Sequence, residues 1–92
     1  MEKKIKSAKQ LERHFKGVAN HHRVNILQLI AKQEGISVEG IAENLGANIK
    51  TISEHTRKLV LAGLVDKKYQ GRVVSRALSP YGKIFHAFIR TF

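Results

Sequence analysis

Between Ile36 and Gly63 the chain carries two apolar stripes of helical period, parted by the break Gly46-Ala47-Asn48. In the first stripe Val38, Ile41, Ala42 and Leu45 recur at i, i+3, i+4 and i+7, which gathers four apolar side chains on one helix face. Ser37 stands in front of it as an N-cap, and Ile36 and Ile41 occupy the positions of a hydrophobic staple. Gly46 can end this helix in the left-handed conformation without a Cβ clash. Asn48 then caps a second helix over residues 49–63, whose stripe of Ile52, Thr56 and Leu59 runs toward a stop at Gly63. Two short helices, each with one narrow face to bury and a tight turn between them, predict a helix-turn-helix.

The second helix is informative on its other side. Lys50, Ser53, Glu54, Arg57 and Lys58 fall at i, i+3, i+4, i+7 and i+8, one outward strip of cationic and hydrogen-bonding groups. Such groups reach base edges and phosphates in a major groove. Any amphipathic helix also has a solvated polar face, so the strip alone does not decide between the two readings.

Charge decides more. In 92 residues there are 17 Lys and Arg against 7 Asp and Glu, a formal net charge of +10, which predicts a polyanionic partner. The positive charge is unevenly placed. It concentrates in residues 1–16, in the second helix and in residues 64–76, while residues 37–48 are net negative, the patterning of a nucleic-acid footprint. The absence of cysteine excludes a disulfide framework, a thiolate metal site and a thiol nucleophile. Neither a leader-like apolar run behind the N-terminal lysines nor a bilayer-length stretch is present, so a cytoplasmic protein with no membrane partner is expected.

The rest of the chain reads as support for that pair. Residues 1–6 are expected to be a flexible basic N-terminus, and residues 7–92 a single domain. Ala8, Leu11, Phe15 and Val18 predict a first helix that Gly17 ends or bends. Asn20 caps a second, running through Val24, Ile26, Leu27, Leu29, Ile30 and Ala31 toward Gly35; being apolar on more than one side, it is the expected core helix. After Gly63, the segments Leu64–Tyr69 and Val73–Leu78 around Gln70-Gly71-Arg72 predict a basic β-hairpin. Placed after a helix-turn-helix, that hairpin is a wing, on which Lys67, Lys68, Arg72 and Arg76 can meet a nucleic-acid backbone or minor groove. Ser79-Pro80 opens a last helix with the stripe Tyr81, Ile84, Phe85, Phe88, Ile89 and Phe92. The predicted fold is therefore mainly α with a small β-hairpin: a winged helix-turn-helix of about five helices and a two-stranded wing. The large stripe, with Leu11 and Phe15 of the first helix, predicts a homodimer interface; two-fold pairing there would set two recognition helices roughly 34–36 Å apart.

Four runs carry a family resemblance: Arg23-Val24-Asn25-Ile26-Leu27, Ser37-Val38-Glu39-Gly40-Ile41-Ala42, Thr51-Ile52-Ser53-Glu54-His55 and Leu61-Ala62-Gly63-Leu64-Val65. In order and spacing they resemble the landmarks of the arsenical-resistance-repressor (ArsR) type of winged-helix transcription regulator, over about residues 10–90. The resemblance implies a homodimer joined by its first and last helices on an imperfect palindrome near a promoter. Carried over by position, it implies Lys50, Thr51, Ser53 and Glu54 as base-facing residues, with Asn48 and Arg57 nearby. Ser37 and Lys58 complete the helix-turn-helix part of the expected DNA-contact set, to which the wing adds Lys67, Lys68 and Arg72. The chain departs from the family in lacking the cysteines that many members use for metal sensing in the helix over residues 38–45. Its last helix holds only His86 and no acid, and His21 and His22 are adjacent and expected to diverge. No metal and no cofactor are expected. His55 is expected to pack or to touch a phosphate, and His21 stands where the family has proline.

These readings converge on a sequence-specific regulator that binds double-stranded DNA as a homodimer and acts as a repressor. The alternative is a winged-helix protein-interaction or RNA-binding module without operator specificity. An enzyme is not expected: the chain has no glycine-rich phosphate loop, no serine nucleophile motif and no carboxylate pair beside a histidine.

Overall fold

The computed structural model describes residues 5–92; most of the expected flexible N-terminus, residues 1–4, lies outside them. The elements run α1 (Ala8–Val18), α2 (His21–Lys32), α3 (Val38–Leu45), α4 (Ile49–Leu61), β1 (Val65–Gln70), β2 (Val73–Leu78) and α5 (Pro80–Ile89). Five helices and one two-stranded antiparallel sheet make up the winged helix-turn-helix that the patterning predicts.

Helix starts follow the capping residues. Ser7 and Gln10 form a reciprocal capping box at α1, and Asn20, Ser37, Asn48 and Ser79 each accept from a first-turn amide of the helix that follows. Gly46 ends α3 at φ 61°, as a left-handed cap should. Helix α4 is shorter than the recognition helix expected over residues 49–63. It closes at Leu61 with Ala62 as its cap, and Gly63, at φ 77°, belongs to the turn into β1.

The core forms around α2, whose Ile26, Leu27 and Ile30 are fully buried. Against them pack Ile41 of α3, Ile52 and Leu59 of α4, and Leu64 and Val65 at the start of the wing. Thr56, on the same stripe, is buried too, and its hydroxyl donates to the Ile52 carbonyl at 2.7 Å, which removes the penalty of an unpaired buried hydroxyl. Gly17 is the penultimate residue of α1, which ends one residue later at Val18. A Cβ there would stand 2.1 Å from the Ala62 Cβ, so the residue is small because α1 crosses the end of α4 at close range.

The wing pairs Gln70 with Val73 and Val65 with Leu78, leaving Gly71-Arg72 as a two-residue loop. Gly71 has φ 62° and Arg72 does not have positive φ, the pattern of a type II′ hairpin turn. Strand β2 is also tied to the segment before α3: Gly35 N–H donates to the Arg76 carbonyl at 2.8 Å and Arg76 N–H to the Ile36 carbonyl at 3.1 Å. That pairing sets the wing beside the start of α3. No described helix is long and apolar enough to cross a membrane.

Candidate nucleic-acid interface

Burying Ile52, Thr56 and Leu59 turns the opposite side of α4 outward, and Lys50, Thr51, Ser53, Glu54, Arg57 and Lys58 are all exposed. Asn48 caps α4 by accepting from the amides of Lys50 and Thr51 at 2.8 and 3.4 Å, so its side-chain oxygen is already engaged. The Glu54 carboxylate takes two hydrogen bonds from Arg57, at 2.6 and 3.1 Å, across one helical turn. Those bonds hold the Glu54 carboxyl below its ordinary range, with the charges of Arg57, Lys58 and His55 adding to the effect, and they keep Arg57 more firmly protonated. The pair is a local neutral unit on an otherwise cationic strip.

The expected contact residues are not all in one place. Ser37, Lys50, Ser53, Glu54 and Arg72 line a single groove of about 730 Å³ between the starts of α3 and α4 and the wing. Lys58 lies around the helix, with Arg13 and Lys16 of α1 about a second, shallower hollow. Lys67 and Lys68 are exposed on β1 and, as sequential strand residues, point to opposite faces of the ribbon. Arg72 sits at the wing tip. Arg76, grouped with these cations from the sequence, is 8% exposed; opposite Lys67 in the ladder, it turns back toward α3 rather than outward.

His21 and His22 of α2 and His55 of α4 form a cluster that spacing did not foretell. His21 and His22 do not diverge: their rings lie 4.0 Å apart, and His22 stacks on His55 at 5.5 Å. Arg23 Nε donates to His55 Nδ1 at 3.2 Å, while its Nη1 reaches the Lys16 and Gly17 carbonyls at 3.3 Å. The arginine thus ties α1, α2 and α4 together. Its place inside the Arg23–Leu27 run was visible in the sequence, but no local pattern says which helix it would bridge to. Partial burial, followed by Arg23, His22 and Lys58, lowers the His55 pKa from its ordinary 6.5. Folded protein therefore binds fewer protons than unfolded chain as pH drops below about 6.5, so stability falls with acidification until the depressed pKa is passed. Tm followed from about pH 8 to about pH 5 should decline more steeply for the natural chain than for His55→Gln; parallel curves would assign the decline to other groups.

Helices α1 and α5 share an apolar face. Phe15 meets Phe85 edge-on at 5.7 Å, and Phe85, Phe88 and Phe92 continue the edge-to-face series. Leu11, Phe15, Tyr81, Ile84 and Phe88 remain exposed, whereas Phe85 and Ile89 are partly buried against the chain's own core. His14 bonds through Nδ1 to the Ala62 carbonyl at 2.6 Å and packs on Tyr81. Among the described residues no group of three or more His, Cys, Asp or Glu is arranged to hold a metal ion.

Comparison with known proteins agrees with this architecture. The winged helix-turn-helix domain of Mb0332 from Mycobacterium bovis, described as homodimeric, DNA-binding and a possible ArsR-family transcriptional regulator, superposes with a TM-score of 0.81 at 30% identity, covering 90% of this chain and 77% of that one. HlyU from Vibrio cholerae superposes with a TM-score of 0.82 over 96% of both chains at 22% identity, a likeness of fold. The uncharacterized protein MJ0558 of Methanocaldococcus jannaschii is 43% identical over 47 residues, which are 51% of this chain and 18% of that protein. This chain thus spans under a fifth of the length of that curated relative. Further proteins with this fold, HlyU from Vibrio vulnificus and an ArsR-like protein from Rhodococcus, are described as transcriptional regulators. The model of the HVO_A0114 family matches residues 18–86, from the end of α1 through the helix-turn-helix and wing into α5. The chain belongs to the HVO_A0114 family, and its framework is that of the ArsR-type winged helix-turn-helix transcription regulators.

Proposed function

We propose that the chain is a sequence-specific double-stranded DNA-binding transcription regulator that works in the cytoplasm as a homodimer and represses by occupying a promoter. The observation that carries this reading is the outward strip of α4. Lys50, Ser53, Glu54 and Arg57 are exposed on one side while Ile52, Thr56 and Leu59 anchor the other. In this reading α4 lies in the major groove, with Thr51 and Asn48 at its leading end, while Ser37 approaches a flanking phosphate. The wing sets Lys67, Lys68 and Arg72 against the backbone or the minor groove. Dimerisation uses the α1–α5 face. Leu11, Phe15, Tyr81, Ile84 and Phe88 supply exposed apolar surface at its centre, and Phe85 and Ile89 back it from the core. Residues 7–92 act as one DNA-binding domain.

A protein-docking winged helix would present an apolar patch on α4. Its exposed large apolar residues are Ile49 and Leu61, at opposite ends, and they do not form one. In-vitro selection of bound duplexes, joined to a mass measurement of the free protein, tests the proposal. An enriched inverted repeat and a dimeric mass are expected; preference for RNA, or no nucleic-acid binding, would overturn it.

Glu54→Ala is expected to strengthen binding to non-specific duplex by about threefold to tenfold and to narrow the gap between operator and non-operator DNA, because it removes a charge facing phosphates and frees Arg57. Unchanged affinities for both duplexes would take Glu54 out of the reading set.

A further inference from the structure

The groove between the wing and the starts of α3 and α4 contains a buried cation that no carboxylate among the described residues pairs with. Arg76 is more than nine-tenths buried. Its Nη1 donates to the Val74 carbonyl at 3.3 Å, while its Nε is buried with no partner among the described residues. A guanidinium keeps its proton in any protein environment, so it cannot relieve burial by neutralising itself. Lys67 lies directly across the ladder from it, and like charges in opposed positions repel. Two acids, Glu39 and Glu54, line the same groove. The ion pairs among the described residues are Lys16 with Glu12 and Arg57 with Glu54, so neither acid is paired with Arg76.

The walls around this arginine favour an anion. The groove is bordered by Ser37, Val38 and Glu39 at the start of α3, by Ile49 and Lys50 at the start of α4, and by Arg72 of the wing tip. Two helix N-termini therefore open onto one cavity, each with positive partial charge. The Ser37 hydroxyl is spent on the Gly40 amide at 3.0 Å, which leaves the Val38 and Glu39 amides at the first turn for an outside acceptor. A planar guanidinium with one edge unpaired is suited to take two oxygens of a tetrahedral group.

We propose that this groove is a phosphate receptor, in which Arg76 on the floor, Lys50 and Arg72 on the rim and the first-turn amides of α3 hold one phosphate group. The group comes from the backbone of bound DNA or from a free phosphorylated solute. Only the first source rests on the DNA-binding reading. Glu39 on the same rim opposes the anion and sets how weakly a lone phosphate is held.

The test uses the full chain, labelled with ¹⁵N, in buffer free of phosphate, with the Arg76 Nε–H signal and the Val38 and Glu39 amide signals followed as inorganic phosphate is added. Saturable shifts with a midpoint of about a millimolar are expected, and chloride at equal ionic strength should not reproduce them. Arg76→Gln should weaken binding by about tenfold or more, through loss of charge-assisted bonds. Because removal of a buried side chain can disturb the fold, Glu39→Gln at an exposed position gives an independent reading: phosphate should bind about threefold more tightly. Shifts that rise without saturation, or that match those in chloride, or a phosphate affinity indifferent to Glu39→Gln, would overturn the proposal. Duplex DNA added to the phosphate-loaded protein assigns the source. Displacement of inorganic phosphate from Arg76 identifies a backbone phosphate as the occupant, and retention of it beside bound duplex identifies a free solute. A chain that bound phosphate saturably but no duplex would retain this site while removing the DNA-binding reading.

Discussion

Gly82→Ala is expected to destabilise the fold by about 3 kcal/mol, visible as a fall in Tm of more than about 10 °C for a domain of this size. Gly82 is buried in the first turn of α5, and a Cβ built there would stand 2.0 Å from the Leu64 carbonyl oxygen and 3.0 Å from its carbon. Backbone cannot swing aside as a flexible side chain can. The same Leu64 oxygen accepts from the Ser79 amide at 3.1 Å, while the Ser79 hydroxyl donates to the Gly63 carbonyl at 2.6 Å and accepts from the Gly82 amide at 2.9 Å. Making room for one methyl group means lifting α5 off the start of the wing and stretching all three bonds. Gly46→Ala provides the contrast: it meets no atom within 4 Å and bears only the strain of φ 61°, so about 1 kcal/mol is expected there. Urea unfolding of both variants checks the ranking, and a Gly82→Ala protein as stable as the natural one would mean that α5 is less closely seated than this geometry requires. If the chain dimerises through the α1–α5 face, as proposed, the same variant should lose dimer at concentrations where the unsubstituted chain retains it, because α5 presents Tyr81, Ile84 and Phe88.

The second large effect concerns ionic strength. If a dimer presents Lys50, Lys58, Lys67, Lys68 and Arg72 from each protomer to phosphates and about six of these contacts form, operator affinity should fall by about a thousandfold between about 50 and about 200 mM salt. Counterion release makes the logarithm of affinity linear in the logarithm of salt concentration, so the slope counts contacts. Arg72→Ala, at the exposed wing tip, should reduce that slope by about one for each wing and weaken all sequences alike. Mobility shifts at four or five salt concentrations on operator and scrambled duplex would check this. A salt-independent affinity would exclude phosphate contact by these residues. Arg57 is a different case, since its guanidinium must leave Glu54 before it can meet a phosphate. Its substitution is expected to change the slope less than that of Arg72.

Much of this architecture follows from short-range pattern. The stripes Val38, Ile41, Ala42 and Ile52, Thr56, Leu59 announced which faces would be buried, and Asn20, Ser37, Asn48 and Ser79 announced where helices would begin. Both signals are local, because periodicity and capping depend on residues within a turn or two of each other. The α4 strip was legible for the same reason: once one face is anchored, the spacing of Lys50, Ser53, Glu54 and Arg57 fixes the other.

Other features required the chain to be brought back on itself. Gly17 read only as the end or a bend of the first helix, because no local rule reports that Ala62 would arrive against it. Arg76 read as a wing cation, yet its exposure was decided by the Gly35–Ile36 segment pairing with β2 and closing over it. Likewise the His22–His55 stack and the bond from Arg23 join residues more than thirty positions apart. Order along the chain set the helices, their buried faces, the wing and the basic character of the outward side of α4 and the wing, since each depends on neighbouring residues. Only the folded chain shows which glycines admit no side chain, that five of the expected contact residues gather in one groove while the others lie apart, and which arginine is buried, because burial and charge pairing depend on distances that the linear order does not contain.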